Sequence, residues 1–316
     1  MTTRSPFGTI LRAFALSTLV MGAAFAQTPP ALSDDPLQLV AEGQKLRAAG
    51  KVDDALVRFD RALSIDPKSS EAHLGKGIAL DIKGQYAEAR RHLDQAITLA
   101  PDDARDPAFA AMAVAYVFAG DVSSAARAYQ KLYDRYVAAT RFDSAAEVAN
   151  ALGRVYLETG DTKRAEQWYL TGRDTAQKLS SLPDDQVDLW AMRWHSAAAR
   201  IAARKGDRAT ADREAAAVKT LADKNELNTK AFTSVYQYLA GYNAFYAKDY
   251  DGAIAALGKA DQSDPFIMGL LAQSYDKKGD AATARTYYTK AMEAPGHNIQ
   301  NALTRAIATK RLPSLK

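Results

Sequence analysis

The chain has 316 residues, 47% hydrophobic and 25% charged, an ordinary composition for a globular protein whose length would fill about two domains. It contains no cysteine, which excludes disulfides, thiolate metal sites, a cysteine nucleophile and a lipid-modified cysteine. With 41 basic and 37 acidic residues the net charge is +4, too small to mark nucleic acid or an anionic membrane as the main partner.

Residues 1–26 stand apart. Arg4 and Arg12 precede an apolar run over 13–25, and Ala24-Phe25-Ala26 forms a cleavage site before Gln27. This pattern predicts a secretory signal peptide. The run is shorter than the roughly 20 residues a spanning helix needs, and no later stretch predicts a membrane span in the mature chain. Export is therefore expected, to the periplasm in a bacterial cell, with an uncleaved N-terminal anchor as the alternative. Without Arg4 and Arg12 the basic count falls from 41 to 39 against 37 acidic residues, a net charge of +2. Residues 27–35, QTPPALSDD, predict a short flexible lead-in.

From residue 36 onward one pattern recurs. In its first copy Leu39, Gly43 and Leu46 share a helix face, and Gly50 supplies the residue that ends the helix. A second helix then carries Ala55, Phe59 and Ala62 and stops at Pro67. The second copy follows 34 residues later with Gly77, Gly84, Tyr86, Ala89, Ala96 and Pro101. Tyr116, Gly120, Ala125 and Tyr129 mark a third, and Leu152, Gly153, Tyr156, Gly160, Ala165 and Tyr169 a fourth. The fifth is degenerate, with Ala199 and Ala202 where Gly and Tyr are expected. Gly241, Tyr250, Ala253, Leu257, Ala260 and Pro265 restore the pattern, and Tyr275, Gly279, Ala284, Tyr288 and Ala291 complete a seventh. Gly-Asp pairs at 120–121, 160–161, 206–207 and 279–280 punctuate the copies, the Gly closing one helix and the Asp capping the next. Turn positions 50, 84, 120, 160, 206, 248 and 279 are unevenly spaced, so the middle units must have longer helices or inserts such as SSLPDD at 180–185. Ile299, Leu303 and Ile307 then predict a terminal helix within 298–316.

These residues resemble the tetratricopeptide repeat, a 34-residue helix-turn-helix unit. The resemblance covers about 36–297 and implies an all-α fold: a right-handed superhelical solenoid of antiparallel helix pairs, about seven repeats plus a C-terminal capping helix. Such pairs cannot bury both faces alone and must stack.

Catalytic motifs are absent from the sequence. His73, His92, His195 and His297 are scattered, without metal-ligand spacing, so neither a metal nor any other cofactor is expected. The acidic pairs at 34–35, 53–54, 102–103 and 184–185 fall at helix starts, where carboxylates cap and favour the dipole. A non-enzymatic chain is expected.

The resemblance further implies that the first helix of each pair lines a concave groove. Carried onto this sequence, it offers Asn150 and Arg154 in repeat 4 and Arg193, Ser196, Arg200 and Arg204 in repeat 5. Tyr238, Tyr242, Phe245 and Tyr246 follow in repeat 6. Guanidiniums at helical spacing suit carboxylates, although the family's full Lys/Asn carboxylate clamp is missing; a solvated or ion-paired helix face is the plain alternative. The expected function is a protein-interaction scaffold or adaptor of the cell envelope, binding a peptide or protein partner with acidic or C-terminal carboxylate groups. The rival is a glycan- or cell-wall-binding protein, which requires Tyr238 and Tyr242 to form an open platform. Homodimerisation through an end helix stays open.

Overall fold

The structure, a computed structural model, describes residues 35–179, 182–224 and 228–315. The predicted signal peptide, residues 27–34 of the lead-in and positions 180–181 of SSLPDD lie outside these residues. The described residues form fifteen α-helices and two 3₁₀ turns, with no strand among them. Seven antiparallel pairs follow in order: α1 (Pro36–Ala48) and α2 (Val52–Ile65), α3 (Ser70–Ile82) and α4 (Tyr86–Leu99), α5 (Asp106–Phe118) and α6 (Val122–Ala138), α7 (Phe142–Glu158) and α8 (Thr162–Ala176). After them come α9 (Asp184–Lys205) and α10 (Arg208–Lys224), α11 (Thr229–Tyr246) and α12 (Tyr250–Leu257), α13 (Pro265–Lys277) and α14 (Ala281–Glu293). A last helix, α15 (Ile299–Arg311), stands outside the pairing.

The turns follow the predicted chemistry. Gly120, Gly160, Gly206 and Gly279 sit at φ between 73° and 98°, and the Asp after each accepts a backbone N–H of the next helix at 2.9–3.0 Å. Lys248 takes the same conformation, φ 64°, without being glycine, and Asp249 caps α12.

Every even-numbered helix of the pairs except α10 inserts one large side chain near a buried Ala. Phe59, Leu93, Tyr129, Tyr169, Leu257 and Tyr288 are all buried, flanked by buried Ala at four residues before. Phe59 is held most tightly, because a Cβ on Gly43 or Gly75 would come within 2.7 or 2.4 Å of its ring. In the fifth pair Ala215 fills this place, and Ala199, Ala202 and Ala203 of α9 close around it, which accounts for the degenerate signature. The longer repeat spacing resides in the helices: α6 through α11 run from 15 to 22 residues, against 13 or 14 in α1 to α5.

The terminal helix does more than cap. It packs on α13 and α14, as an end cap should, and it also packs on α5 and α7. Odd-numbered helices neighbour one another along one side of the array (α1 with α3, α3 with α5, α9 with α11, α11 with α13). Because α5, α7 and α13 all belong to that side, α15 occupies the groove between them. Gly269 of α13 permits the approach, since a Cβ there would meet Thr304 at 2.5 Å. The exposed charge of this helix is confined to its end, where Arg311 pairs with Asp276, while Asn301, Thr304 and Ala308 are buried.

The preceding residues fasten the tail to the second pair. His297 Nε2 lies 2.7 Å from Asp81 Oδ2, and its ring stacks on Phe118 with centroids 5.2 Å apart. Arg305 donates to the Ile82 carbonyl at 2.7 Å and to the Ala294 carbonyl at 3.0 Å. The first of these satisfies an orphan acceptor at the C-terminus of α3.

Candidate ligand groove

With α15 filling one part, the remaining groove cavity lies where α7, α9 and α11 converge. It measures about 530 Å³ and is lined by Asn150, Arg154, Arg193, Ser196, Arg200 and Tyr238, with Asp264 and Phe266 opposite and Ile299 and Gln300 of α15 at one edge. Six of the ten groove residues expected from the sequence thus share one cavity. Arg204, Tyr242, Phe245 and Tyr246 do not line it.

Most of its charges are already matched. Arg154 Nε lies 3.0 Å from Glu158 Oε1, and Arg204 Nη2 lies 2.5 Å from Glu158 Oε2, so one carboxylate serves two guanidiniums. Arg154 also donates to the Tyr238 hydroxyl at 2.6 Å and stacks over Phe266 at 4.1 Å. Burial works against the charge on Arg154, but the oxygens of Tyr238 and Glu158 outweigh it and hold the guanidinium above its usual pKa. Arg193 pairs with Glu147 and lies over the Trp190 ring at 4.6 Å. The ion-paired helix face thus describes three of the four arginines.

Arg200 differs. It is 9% exposed and donates through Nη2 to the Tyr169 hydroxyl at 3.2 Å. Its Nε is buried with no hydrogen-bond partner, and no carboxylate among the described residues pairs with it. A buried guanidinium without an anion is costly to maintain, and this one borders an open cavity.

The tyrosines require a correction. Tyr238 is 8% exposed and Tyr242 fully buried, so they form no open platform, and the arrangement required for glycan stacking is lacking. The cause is that α11 is covered from both sides, by α9 and by α13. Tyr242 accepts from Arg204 Nε at 2.9 Å and donates to Glu158 Oε1 at 3.3 Å, while its ring packs on Tyr246 with centroids 4.6 Å apart. Burial raises the pKa of Tyr238 to about 12, against the pull of Arg154 and Arg200. These hydroxyls stay protonated and act as structural partners of the arginines.

Two histidines scattered in sequence also meet: His73 Nδ1 lies 2.8 Å from His92 Nδ1. His195 pairs with Glu214 at 2.8 Å. No cluster of three metal-ligating side chains occurs among the described residues, and none of their helices is long and apolar enough to cross a membrane.

Glu147, Glu158 and Asp264 were not singled out from sequence. Glu158 was accessible, since it stands four residues after Arg154 on one helix face; Glu147 reaches Arg193 from another helix and left no local signal. Burial raises the pKa of Asp264, which caps α13 by accepting from the Phe266 N–H at 2.7 Å.

Comparison with known proteins identifies the repeat. Family models described as tetratricopeptide repeat match residues 46–115, 110–177 and 267–298, together just over half of the chain. A tetratricopeptide repeat protein from Parabacteroides merdae has a similar fold, with a TM-score of 0.54 at 14% identity over 88% of this chain and 97% of its own. BtubC from P. vanneervenii gives a TM-score of 0.48 at 14% identity, covering 79% of this chain and 93% of its own. NprR, solved in complex with its cognate peptide NprX, gives 0.48 at 14%, covering 78% and 76%. No curated protein matches the sequence.

Proposed function

The chain belongs to the tetratricopeptide repeat family, and from that membership we propose that it is a non-enzymatic interaction scaffold of the cell envelope that binds a peptide or protein segment in the open section of its groove. Proteins of this family serve as interaction scaffolds. The envelope assignment rests on the sequence of residues 1–26.

One observation carries the ligand chemistry: Arg200 is nine-tenths buried, has no carboxylate partner, and borders the groove cavity. A carboxylate entering there would accept from a guanidinium already stripped of water, where charge-assisted hydrogen bonds are strongest. Arg154 and Arg193, neutralised by their own acids, would shape the cavity rather than hold the ligand's charge. The partner therefore presents a side-chain or C-terminal carboxylate on an extended segment.

The test is a crosslinking pull-down from envelope extract with the wild-type chain and an Arg200→Gln variant of matched stability. A protein captured by the wild type, lost by the variant, and displaced by a free-acid peptide supports the reading. Capture that is indifferent to both changes places binding elsewhere.

A further inference from the structure

The tail is held at two anchors seven residues apart in sequence, His297 and Thr304. His297 meets the buried carboxyl of Asp81 on the second pair. Thr304 lies against Gly269 on the seventh, where a Cβ would stand 2.5 Å from the threonine methyl. Asn301, Thr304 and Ala308 share one face of α15, and all three are buried. The seat is thus read by register, with a small side chain at Gly269 and an imidazole at Asp81.

This seam has the character of an interface. The paired helices bury Phe59, Leu93, Tyr129 and Tyr169, whereas α15 buries Leu303 as its one large apolar side chain, beside Asn301 and Thr304. Polar atoms stay unmatched along it: Asp81 Oδ1, Arg90 Nη1 and Arg305 Nε are buried without hydrogen-bond partners, and both arginines act on the Asp81 charge. Such groups are rare inside a core, and separable interfaces are more polar than cores.

One covalent connection, residues 294–298, joins the tail to the array. The chain leaves α14 extended at Ala294 (φ −60°, ψ 123°) and enters α15 extended at Asn298 (φ −150°, ψ 174°). Pro295 keeps Ala294 out of the helical region. The linker can therefore swing at Gly296 and His297 while both helix ends keep their form.

We propose that the tail is exchangeable, and that two copies of the chain dimerise by each docking residues 294–315 in the seat of the other. The closed and exchanged forms share the contacts of the tail and differ in the linker, which makes exchange a low-cost route to a dimer. A released tail leaves Asp81 without its partner, and a second copy carries His297 and Thr304 in the register that refills the seat. Ile299 and Gln300 edge the groove cavity, so in the dimer each copy completes the cavity of the other. Arg200 plays no part in the exchange.

Because the chain has no cysteine, introduced cysteines report on their own contact alone. A Cβ on Gly269 would lie 3.5 Å from Thr304 Cβ, at the short end of the range a disulfide spans. The double variant Gly269→Cys, Thr304→Cys, oxidised as a monomer, should close within one chain. Chains carrying Gly269→Cys alone and Thr304→Cys alone are then mixed at high concentration and oxidised. A covalent heterodimer joined through positions 269 and 304 is expected, at least tenfold above a control whose second chain carries Lys310→Cys, an exposed position. Sedimentation of the unmodified chain depends on no substitution. Its dimer should grow with concentration, while the locked double variant stays monomeric.

A heterodimer no more abundant than the control overturns the exchange. So does an unmodified chain that is monomeric at every concentration, or a locked variant that dimerises as the unmodified chain does. A double variant that fails to close does the same, since Thr304 would then not sit on Gly269. None of these outcomes bears on Arg200→Gln, so the groove reading stands or falls by its own pull-down.

Discussion

His297 Nε2 meets Asp81 Oδ2 at 2.7 Å across 216 residues of sequence, and both side chains are sealed from water, at 4% and 0% exposure. Burial raises the pKa of Asp81, and His297, Arg90 and Arg305 pull it back. Asp81 Oδ1 has no hydrogen-bond partner of its own, so the carboxyl depends on His297. His297→Ala should cost about 1–3 kcal/mol, the penalty for leaving a buried polar group without its hydrogen-bond partner, read as a lower urea midpoint. It should also open residues 294–315 to protease. A midpoint within experimental error of wild type would show that the tail is not held by this contact.

Tight packing around Phe59 makes a second, local prediction. Gly75→Ala places a methyl 2.4 Å from the buried ring, and Gly43 already crowds the same ring atoms, so the ring has little room to shift. Overpacking of this kind costs about 1–3 kcal/mol. The double variant Gly75→Ala, Phe59→Leu should recover part of the loss. If Gly75→Ala alone melts like wild type, the ring is less confined than its contacts indicate.

The paired histidines set a pH dependence. The Pro67 carbonyl only accepts, so the His73 Nε2 at 3.2 Å carries the hydrogen and His73 Nδ1 accepts from His92 Nδ1. Protonating His92 would put a second hydrogen into a crowded, half-buried place. Burial, followed by the charges of Lys76 and His73, lowers its pKa from 6.5 to about 4. The unfolded chain thus binds this proton at a higher pH than the folded one, and stability should fall as pH drops from about 6.5 to about 4 and level off below. His92→Gln should flatten that segment of a urea-midpoint-against-pH profile. An unchanged slope would assign the acid sensitivity to other groups.

Glu158 bears on the groove. It neutralises Arg154 and Arg204 together, so Glu158→Gln leaves two largely buried guanidiniums with one neutral partner. A loss of about 3–5 kcal/mol is expected, whereas Glu147→Gln, whose partner Arg193 is more exposed, should cost less than about 1 kcal/mol. Thermal unfolding of the two variants side by side checks the ranking, and the reverse order would mean that Tyr238 and Tyr242 carry Arg154 and Arg204 without Glu158.

Legibility in the sequence followed the range of each interaction. Gly120-Asp121 and its relatives were readable because a left-handed residue and a cap act within four positions. Ala55, Phe59 and Ala62 were readable because one face of one helix repeats them. The convergence of Asn150, Arg154, Arg193 and Arg200 followed from the family's groove positions. Tyr242 was misplaced because helical spacing says which residues share a face and not how many helices cover it; α9 and α13 together bury the face of α11. The contact of α15 with α5, and that of Asp81 with His297, ties the last pair to the second and third, and no local pattern announces it.

That contact changes what kind of object the array is. Open stacks of helix pairs tolerate gain or loss of a unit, since each touches only its neighbours. Here a single 13-residue helix, about 20 Å long, is docked at Thr304 on the seventh pair while the residues just before it are docked on the second. Inserting one more pair between them would carry the two docking points apart and leave the tail unable to reach both. The tail therefore acts as a ruler: it sets the number of repeats, and the array can diverge in sequence more freely than in length.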